Sequence, residues 1–121
     1  MKKALLIIGH GSRSKEAVET FDKIVNLVKQ KTTYDFVCGS HMELSEPSIE
    51  KSVLQIMEKD IKYIIVVPYF LYEGNHIKFD IPEILEKIAT KYTGLKFKIA
   101  KPIGFEPLLA DILIKRAEEV E

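Results

Sequence analysis

The chain has 121 residues, with 18 Lys and Arg against 18 Asp and Glu, so its formal net charge is zero. This length suits one domain over residues 1–121, and the balanced charge excludes a global basic field for nucleic acid. One cysteine excludes an intrachain disulfide and a multi-cysteine metal cluster. The longest apolar run, residues 63–72, is about half as long as a membrane-spanning helix. We expect a cytoplasmic protein that binds neither membranes nor nucleic acid.

The first half of the chain predicts two strands, each followed by a helix. Residues 4–8 are continuously apolar, which is typical of a strand buried on both faces, and apolar residues recur at helical spacing over 17–28. Residues 34–42 predict a second, weaker strand, which places Cys38 in the core. Pro47 suits the first turn of the next helix. The apolar stripe of that helix comprises Ile49, Val53, Ile56 and Met57.

The third strand is the clearest in the sequence. Residues 63–67 are rich in Ile and Val, and a twelve-residue connection, 68–79, follows them. Connections of that length are uncommon unless they are functional. Asp80 with Glu83 three residues later resembles a helix-capping arrangement, so we expect the third helix to begin there.

The last strand and helix complete the pattern. Residues 95–100 predict a fourth strand, and Pro107 opens a last helix. The order βαβαβαβα favours parallel strands. We therefore predict an α/β fold, a three-layer sandwich whose four-stranded parallel sheet is covered by helices on both faces. The side chains that the last helix is predicted to turn inward are Leu108, Leu109, Ile112, Leu113, Ala117 and Val120.

Polar side chains gather in the connections that follow the four strands. In an open parallel sheet, ligands bind beyond the carboxyl ends of the strands. The connections there are residues 9–13, residues 41–43 leading to Glu46, residues 68–79 and residues 101–106. All three histidines, His10, His41 and His76, fall in them.

Two of these histidines are candidates for a metal site. Neutral imidazoles bind borderline divalent ions such as cobalt, nickel and zinc, and two histidines leave coordination positions open. Alternatively, His10 is a surface residue in a glycine turn and residues 73–76 are a flexible turn. His41 is better explained as the end of the second strand, and Glu46 as a carboxylate favoured by a helix start.

Three basic residues lie near the same edge. Arg13, Lys78 and Lys101 each follow a predicted strand, where a cation can meet an anionic ligand. Singly, each is explained as well by an ordinary surface charge. The sequence leaves both interpretations open.

These motifs resemble those of a known family. Residues 4–13 (ALLIIGHGSR), 42–47 (MELSEP), 67–76 (VPYFLYEGNH) and 102–107 (PIGFEP) are similar in order and spacing to the small, single-unit archaeal sirohydrochlorin cobaltochelatases. These are class II tetrapyrrole chelatases, and longer relatives carry two such units in one chain. The resemblance implies a homodimer that faces its sites across the interface.

The resemblance also implies roles for individual residues. His10 matches the histidine that binds the metal and accepts a proton, and His76 matches the second metal ligand. Glu46 matches a carboxylate that contacts the substrate. The segment that lines the tetrapyrrole corresponds to Leu71, Tyr72, Glu73, Gly74, Asn75 and His76.

The implied reaction is insertion of a divalent metal into sirohydrochlorin, for cobalamin or related cofactor biosynthesis. Cobalt(II), or nickel(II) as in methanogenic relatives, is a substrate, and no tightly bound cofactor is expected. Two other functions remain open. One is phosphoryl transfer with His10 as nucleophile, although Gly9 stands where the histidine phosphatases have an arginine. The other is a non-catalytic carrier of the metal or the tetrapyrrole.

Overall fold

The computed structural model describes residues 1–72 and 74–121, and at residues 75–77 it describes the backbone alone. In this part of the chain four strands alternate with four helices, in the order that the sequence predicts. The elements are β1 (Lys3–Gly9), α1 (Lys15–Lys31), β2 (Phe36–His41), α2 (Ile49–Glu58), β3 (Tyr63–Pro68), α3 (Asn75–Lys91), β4 (Lys96–Ile99) and α4 (Pro107–Glu118).

The strands form one parallel sheet in the order β2-β1-β3-β4. In its register Gly9 lies opposite His41, and Ile8 lies opposite Pro68, so the carboxyl ends of three strands are level. The ladder extends past the strands, because the backbone N–H of Met42 donates to the Gly9 carbonyl at 2.9 Å. The chain runs from β1 to β2 on one side and then to β3 on the other, which makes the end of β1 the topological switch point.

The core is divided between the two faces of the sheet. On one face, strand residues such as Leu6 and Ile64 pack against α2 and α3 and have no exposed surface. On the other, Leu5 and Ile7 pack against Phe21 of α1. This arrangement confirms the predicted α/β sandwich with a parallel four-stranded sheet.

Cys38 lies in this core, as the sequence predicts. It is 7 % exposed, and burial raises the pKa of its thiol to about 12 against the lowering effect of Lys29. A thiol in this environment stays protonated at neutral pH. The residue therefore serves packing.

The predicted start of the second helix is displaced by two residues. Pro47 precedes the helix instead of lying in its first turn. The N-cap is Ser48, whose hydroxyl accepts a hydrogen bond from the Lys51 backbone N–H at 3.2 Å. A serine at the N-cap accepts a hydrogen bond from a backbone N–H of the first turn, whereas a proline has no side-chain oxygen that could do so. The helix therefore begins after Ser48.

The prediction for the third helix is wrong at its start. α3 begins at Asn75, with Gly74 as N-cap, so Asp80 lies within the helix and the connection comprises only residues 69–74. His76 therefore belongs to the first helical turn and not to a long loop. The helix also continues through Pro82, which cannot donate a backbone hydrogen bond and would ordinarily mark a first turn.

The prediction that α4 turns its apolar residues inward is also wrong. Pro107 opens the helix as expected, but α4 has no buried residue. Leu108 is 66 % exposed and Leu113 is 70 % exposed. Helical spacing of apolar residues indicates that one face of a helix is apolar, but it does not identify the surface against which that face packs.

No helix in the described ranges combines the length and the apolar character needed to cross a lipid bilayer. The cytoplasmic location expected from the sequence stays a prediction.

Candidate functional site

A cavity of about 520 Å³ opens at the carboxyl edge of the sheet. Its walls come from the ends of β1 and β2 and from one face of α3. In a helix, side chains three and four residues apart share a face, so α3 presents residues from three successive turns to the cavity. The lining residues are His10, Met42, Glu43, Asp80, Glu83, Ile84 and Lys87.

His10 occupies the first position after β1, at the switch point of the sheet. Its side chain is 61 % exposed, and its Nε2 lies 3.7 Å from Oε1 of Glu43. The ring meets Phe70 edge to face, with centroids 6.1 Å apart. One side of the imidazole is thus held by an aromatic ring and a carboxylate, while the other is open to a ligand.

The turn after β1 is fastened to the loop after β2. The His10 carbonyl accepts a hydrogen bond from the Glu43 N–H at 3.2 Å. The Ser45 hydroxyl accepts from the Ser12 N–H at 3.0 Å and donates to the Ser12 carbonyl. Gly11 has φ of +103°, and a Cβ there would lie 1.7 Å from the Glu43 carbonyl oxygen. Only glycine fits, and the close approach fixes His10 relative to Glu43.

Glu43 is the site residue that sequence reasoning did not single out. It belongs to the connection after β2, but sequence spacing alone gave it no role. The strand register is the signal that identifies it. Because Gly9 at the end of β1 pairs with His41 at the end of β2, the residue two positions after His41 lies beside His10. His10 and Glu43 offer one nitrogen and one oxygen donor to the same cavity, a mixed pair that suits borderline divalent ions.

Two donors do not complete a metal site. Among the side chains that the structure describes, those of residues 1–72, 74 and 78–121, no group of three or more His, Cys, Asp or Glu is arranged to hold a metal ion. A closed structural site needs about four protein ligands, so the described pair forms an open one.

Glu46 does not line the cavity that contains His10. Its carboxylate accepts hydrogen bonds from the Ser48 N–H and from the Lys51 ammonium, both at 3.0 Å. The Lys51 hydrogen bond is the main reason why the pKa of Glu46 is lowered. Glu46 borders a neighbouring hollow of about 330 Å³, which shares Met42 and Glu43 with the larger cavity.

Only part of the segment 71–76, which the resemblance assigns to the tetrapyrrole, is described by the structure. Leu71 is 49 % exposed and Tyr72 is 79 % exposed, so both apolar side chains are accessible beside the end of β3. Gly74 is the N-cap of α3. Glu73 lies outside the described residues, as do the side chains of Asn75 and His76. The pairing of His10 with His76 therefore stays a prediction.

His41 has the environment of a structural residue. It is 3 % exposed, and its ring packs on Phe21 with centroids 4.9 Å apart. Burial lowers the pKa of His41, while the charges of Asp22 and Glu46 oppose that change. Its position at the end of β2 agrees with the structural interpretation that the sequence favoured.

The basic residues at this edge are not gathered at one point. Lys78 and Lys101 border a hollow of about 300 Å³ between α3 and the end of β4. Arg13 follows β1 and is exposed. The two lysines are therefore neighbours, separated from the His10 cavity by the body of α3.

A family model described as CbiX matches residues 4–120. The chain belongs to the CbiX family. This finding confirms the resemblance seen in the sequence motifs. The CbiX-family chain is 42 % identical, over 95 % of its length, to a protein from Methanococcus aeolicus named sirohydrochlorin cobaltochelatase, of which it covers 97 %.

Other relatives are about twice as long. The chain is 34 % identical, over 94 % of its length, to the chloroplastic sirohydrochlorin ferrochelatase of Arabidopsis thaliana, of which it spans 51 %. The structure of the sirohydrochlorin chelatase SirB from Bacillus subtilis subspecies spizizenii, in complex with cobalt, matches with a TM-score of 0.94 at 31 % identity. That match covers 99 % of this chain and 51 % of SirB.

Proposed function

We propose that this CbiX-family protein is a sirohydrochlorin chelatase that inserts cobalt(II) into the tetrapyrrole, with the metal ion as a substrate and no tightly bound cofactor. Support comes from the family, from the archaeal relative named as a cobaltochelatase, and from the cobalt complex of SirB. The observation that carries the proposal is the pair His10 and Glu43, 3.7 Å apart on the wall of a cavity at the switch point of the sheet. Nickel(II) is the alternative metal.

The chemistry needs a base and a weakly held metal. When a divalent ion enters the ring, two pyrrole N–H protons leave and four ring nitrogens become ligands. The exposed imidazole of His10 accepts one of these protons, and the Glu43 carboxylate, 3.7 Å from its Nε2, stabilises the imidazolium that results. The other proton passes to solvent water. Because the described donors are few, the ion exchanges protein ligands for ring nitrogens one at a time.

His76 is proposed as the second metal ligand. Its position in α3 is one helical turn before Asp80, which lines the cavity. Residues four apart share a helix face, so this spacing supports the pairing with His10. The proposed macrocycle wall comprises Leu71, Tyr72, Glu73, Gly74, Asn75 and His76, with Glu46 as a further substrate contact.

The protein is proposed to act as a homodimer. The chain spans 51 % of SirB, whose matched half has the same fold at a TM-score of 0.94. A second copy would supply what the longer relatives carry in one chain. Sirohydrochlorin is a flat macrocycle, and a cavity of about 520 Å³ on one chain covers only part of such a ligand.

The test follows the absorbance of sirohydrochlorin with cobalt(II) or nickel(II) ions. Loss of a general base typically costs about 100- to 10,000-fold in rate, so His10→Ala should fall by at least about 100-fold, and His76→Ala should also be impaired. Glu86→Gln is the control, because Glu86 is exposed on α3 and does not line the cavity. Unchanged rates in both histidine variants would overturn the site assignment.

The same samples separate the two alternative functions. A carrier binds sirohydrochlorin without accelerating metal insertion over the protein-free rate. A phosphoryl-transfer enzyme hydrolyses aryl phosphates and loses that activity in His10→Ala. Either result would replace the chelatase proposal.

A further inference from the structure

The loop after β2 contains a strained residue. Within the described part of the chain, two residues other than glycine have a positive backbone φ, Leu44 at +67° and Asp60 at +60°. Asp60 follows the C-cap of α2, and aspartate is among the residues that adopt this conformation most readily. Leucine is not among them, so the backbone at Leu44 requires a separate explanation.

The two neighbours of Leu44 determine its conformation. The Ser45 N–H donates to the Glu43 carbonyl at 2.8 Å, which closes a three-residue turn around Leu44. With its positive φ this is the form of the γ-turn that is rare and strained. Glu43 is itself bonded to the His10 carbonyl, and the Ser45 hydroxyl is bonded to Ser12. A single residue therefore has to connect two anchored points of the chain.

Glycine would make this connection without strain. It has no Cβ and adopts positive φ freely, whereas a leucine in the same conformation is unfavourable. Packing within the chain does not offset the strain, because Leu44 is 54 % exposed. Strain that is not offset by packing is typical of residues that contact a ligand. The leucine side chain therefore has its use outside the folded chain.

Leu44 is placed between two hollows at the carboxyl edge of the sheet. It lines the hollow of about 330 Å³ that Glu46 borders. This hollow shares Met42 and Glu43 with the larger cavity, which contains His10. A flat macrocycle that extends beyond the larger cavity on this side has to cross the wall that the two hollows share. An exposed leucine beside that wall offers it an apolar contact.

We propose that Leu44 is a substrate-binding residue whose side chain packs against the apolar face of the tetrapyrrole and holds the ring across the two hollows. The inference rests on the proposed function for the identity of the ring. A contact of this kind stabilises by burial of apolar surface, and it is the same before and during metal insertion. Leu44 therefore determines how tightly sirohydrochlorin binds, and has no effect on how fast the bound ring is metallated.

Titration of the metal-free protein with sirohydrochlorin, followed by the absorbance of the ring, measures this contact. Leu44 has about half of its surface left to bury, so Leu44→Gly should raise the Kd roughly 4- to 15-fold. In the metal insertion assay KM should rise and kcat should be unchanged. Leu44→Met keeps an apolar side chain of similar volume and should bind within about threefold of the wild type.

The same variants separate substrate binding from folding. Leu44→Gly relieves the positive φ and removes no buried side chain, so its Tm should be at least that of the wild type. The matched control is Asp60→Gly, which also introduces glycine at a positive φ. Asp60 lies at the amino edge of the sheet, in the lining of a different hollow, so this substitution should leave Kd and KM unchanged.

Several results would overturn the proposal. They are a wild-type Kd in Leu44→Gly, an equal loss of affinity in Asp60→Gly, or a Tm of Leu44→Gly well below that of the wild type. A lower mass of Leu44→Gly by light scattering would also overturn it, because Leu44 would then contact a second chain. If the wild type binds sirohydrochlorin without accelerating metal insertion, the chelatase chemistry fails and the binding role of Leu44 is still decided by the titration. If the wild type does not bind sirohydrochlorin, both fail.

Discussion

Gly11 offers a direct test of how the site is held together. A Cβ at this position would lie 1.7 Å from the carbonyl oxygen of Glu43, and the backbone φ of +103° is one that L side chains rarely adopt. In Gly11→Ala the loop after β2 has to retreat by about 1.3 Å to restore even a 3.0 Å contact. The retreat moves Glu43 away from His10.

The cost in stability follows from three local effects. A non-glycine residue at positive φ costs about 1–3 kcal/mol. The hydrogen bond from the Glu43 N–H to the His10 carbonyl is worth about 1 kcal/mol. The added methyl also stabilises Ala against the unfolded chain by about 0.4–1 kcal/mol, which offsets part of the loss. Together these effects predict a decrease of about 1–4 kcal/mol in the free energy of unfolding.

Urea and thermal unfolding measure this loss. For a chain of this size, about 1 kcal/mol corresponds to roughly 3–5 °C in Tm, so Gly11→Ala should melt about 3–20 °C lower. The control is Gly74→Ala, because Gly74 has φ of −78° and no atom within 4 Å of its ideal Cβ position. Its stability should change by less than about 1 kcal/mol. Equal effects of the two substitutions would refute the close-packing argument.

Three further outcomes are expected. Glu43→Gln should slow metal insertion by about 10- to 100-fold with little change in Tm, whereas Glu86→Gln should match the wild type; equal rates would show that the carboxylate near His10 has no part in proton removal. Cys38 should react with a thiol reagent only as fast as the protein unfolds, which stopped-flow labelling in urea measures, and rapid labelling of folded protein would contradict its buried position. Burial lowers the pKa of His41 in the folded protein, so as the pH falls the unfolded chain takes up a proton before the folded chain does. The free energy of unfolding therefore has its full value above the ordinary histidine pKa and decreases as the pH falls below it. His41→Phe should therefore reduce the loss of Tm between pH 7 and pH 5, and an unchanged pH dependence would exclude His41 as its source.

Much of the fold is encoded locally and could be predicted from the sequence. Residues 4–8 and 63–67 are apolar runs of strand length, and both are buried in the sheet. The alternation of strands with amphipathic helices was sufficient to predict parallel pairing. The predicted position of the four connections that follow the strands has the same basis, because parallel strands place their carboxyl ends at one edge.

The errors arise where tertiary contacts override local preference. Asp80 and Pro82 are typical of a helix start, yet α3 begins at Asn75 and continues through the proline. Glu43 has no distinguishing local pattern, and only the pairing of β1 with β2 brings it to His10. The apolar residues of α4 recur at helical spacing as predicted, but they are not buried, because spacing within a helix does not identify the surface that covers it.

The two walls of the cavity are built differently, and this difference bears on how the site works. His10 and Glu43 lie on two backbone segments that are hydrogen-bonded to each other. The Ser45 hydroxyl and the close packing of Gly11 hold these segments together. The opposite wall is one face of α3, and on the other side of that helix lies Pro82, where one backbone hydrogen bond is necessarily missing. A base that must meet ring protons at hydrogen-bond distance needs a fixed position, which the first wall provides. The helix that carries His76 therefore departs from local helix preference within two turns of that residue, and departures of this kind are expected near functional sites.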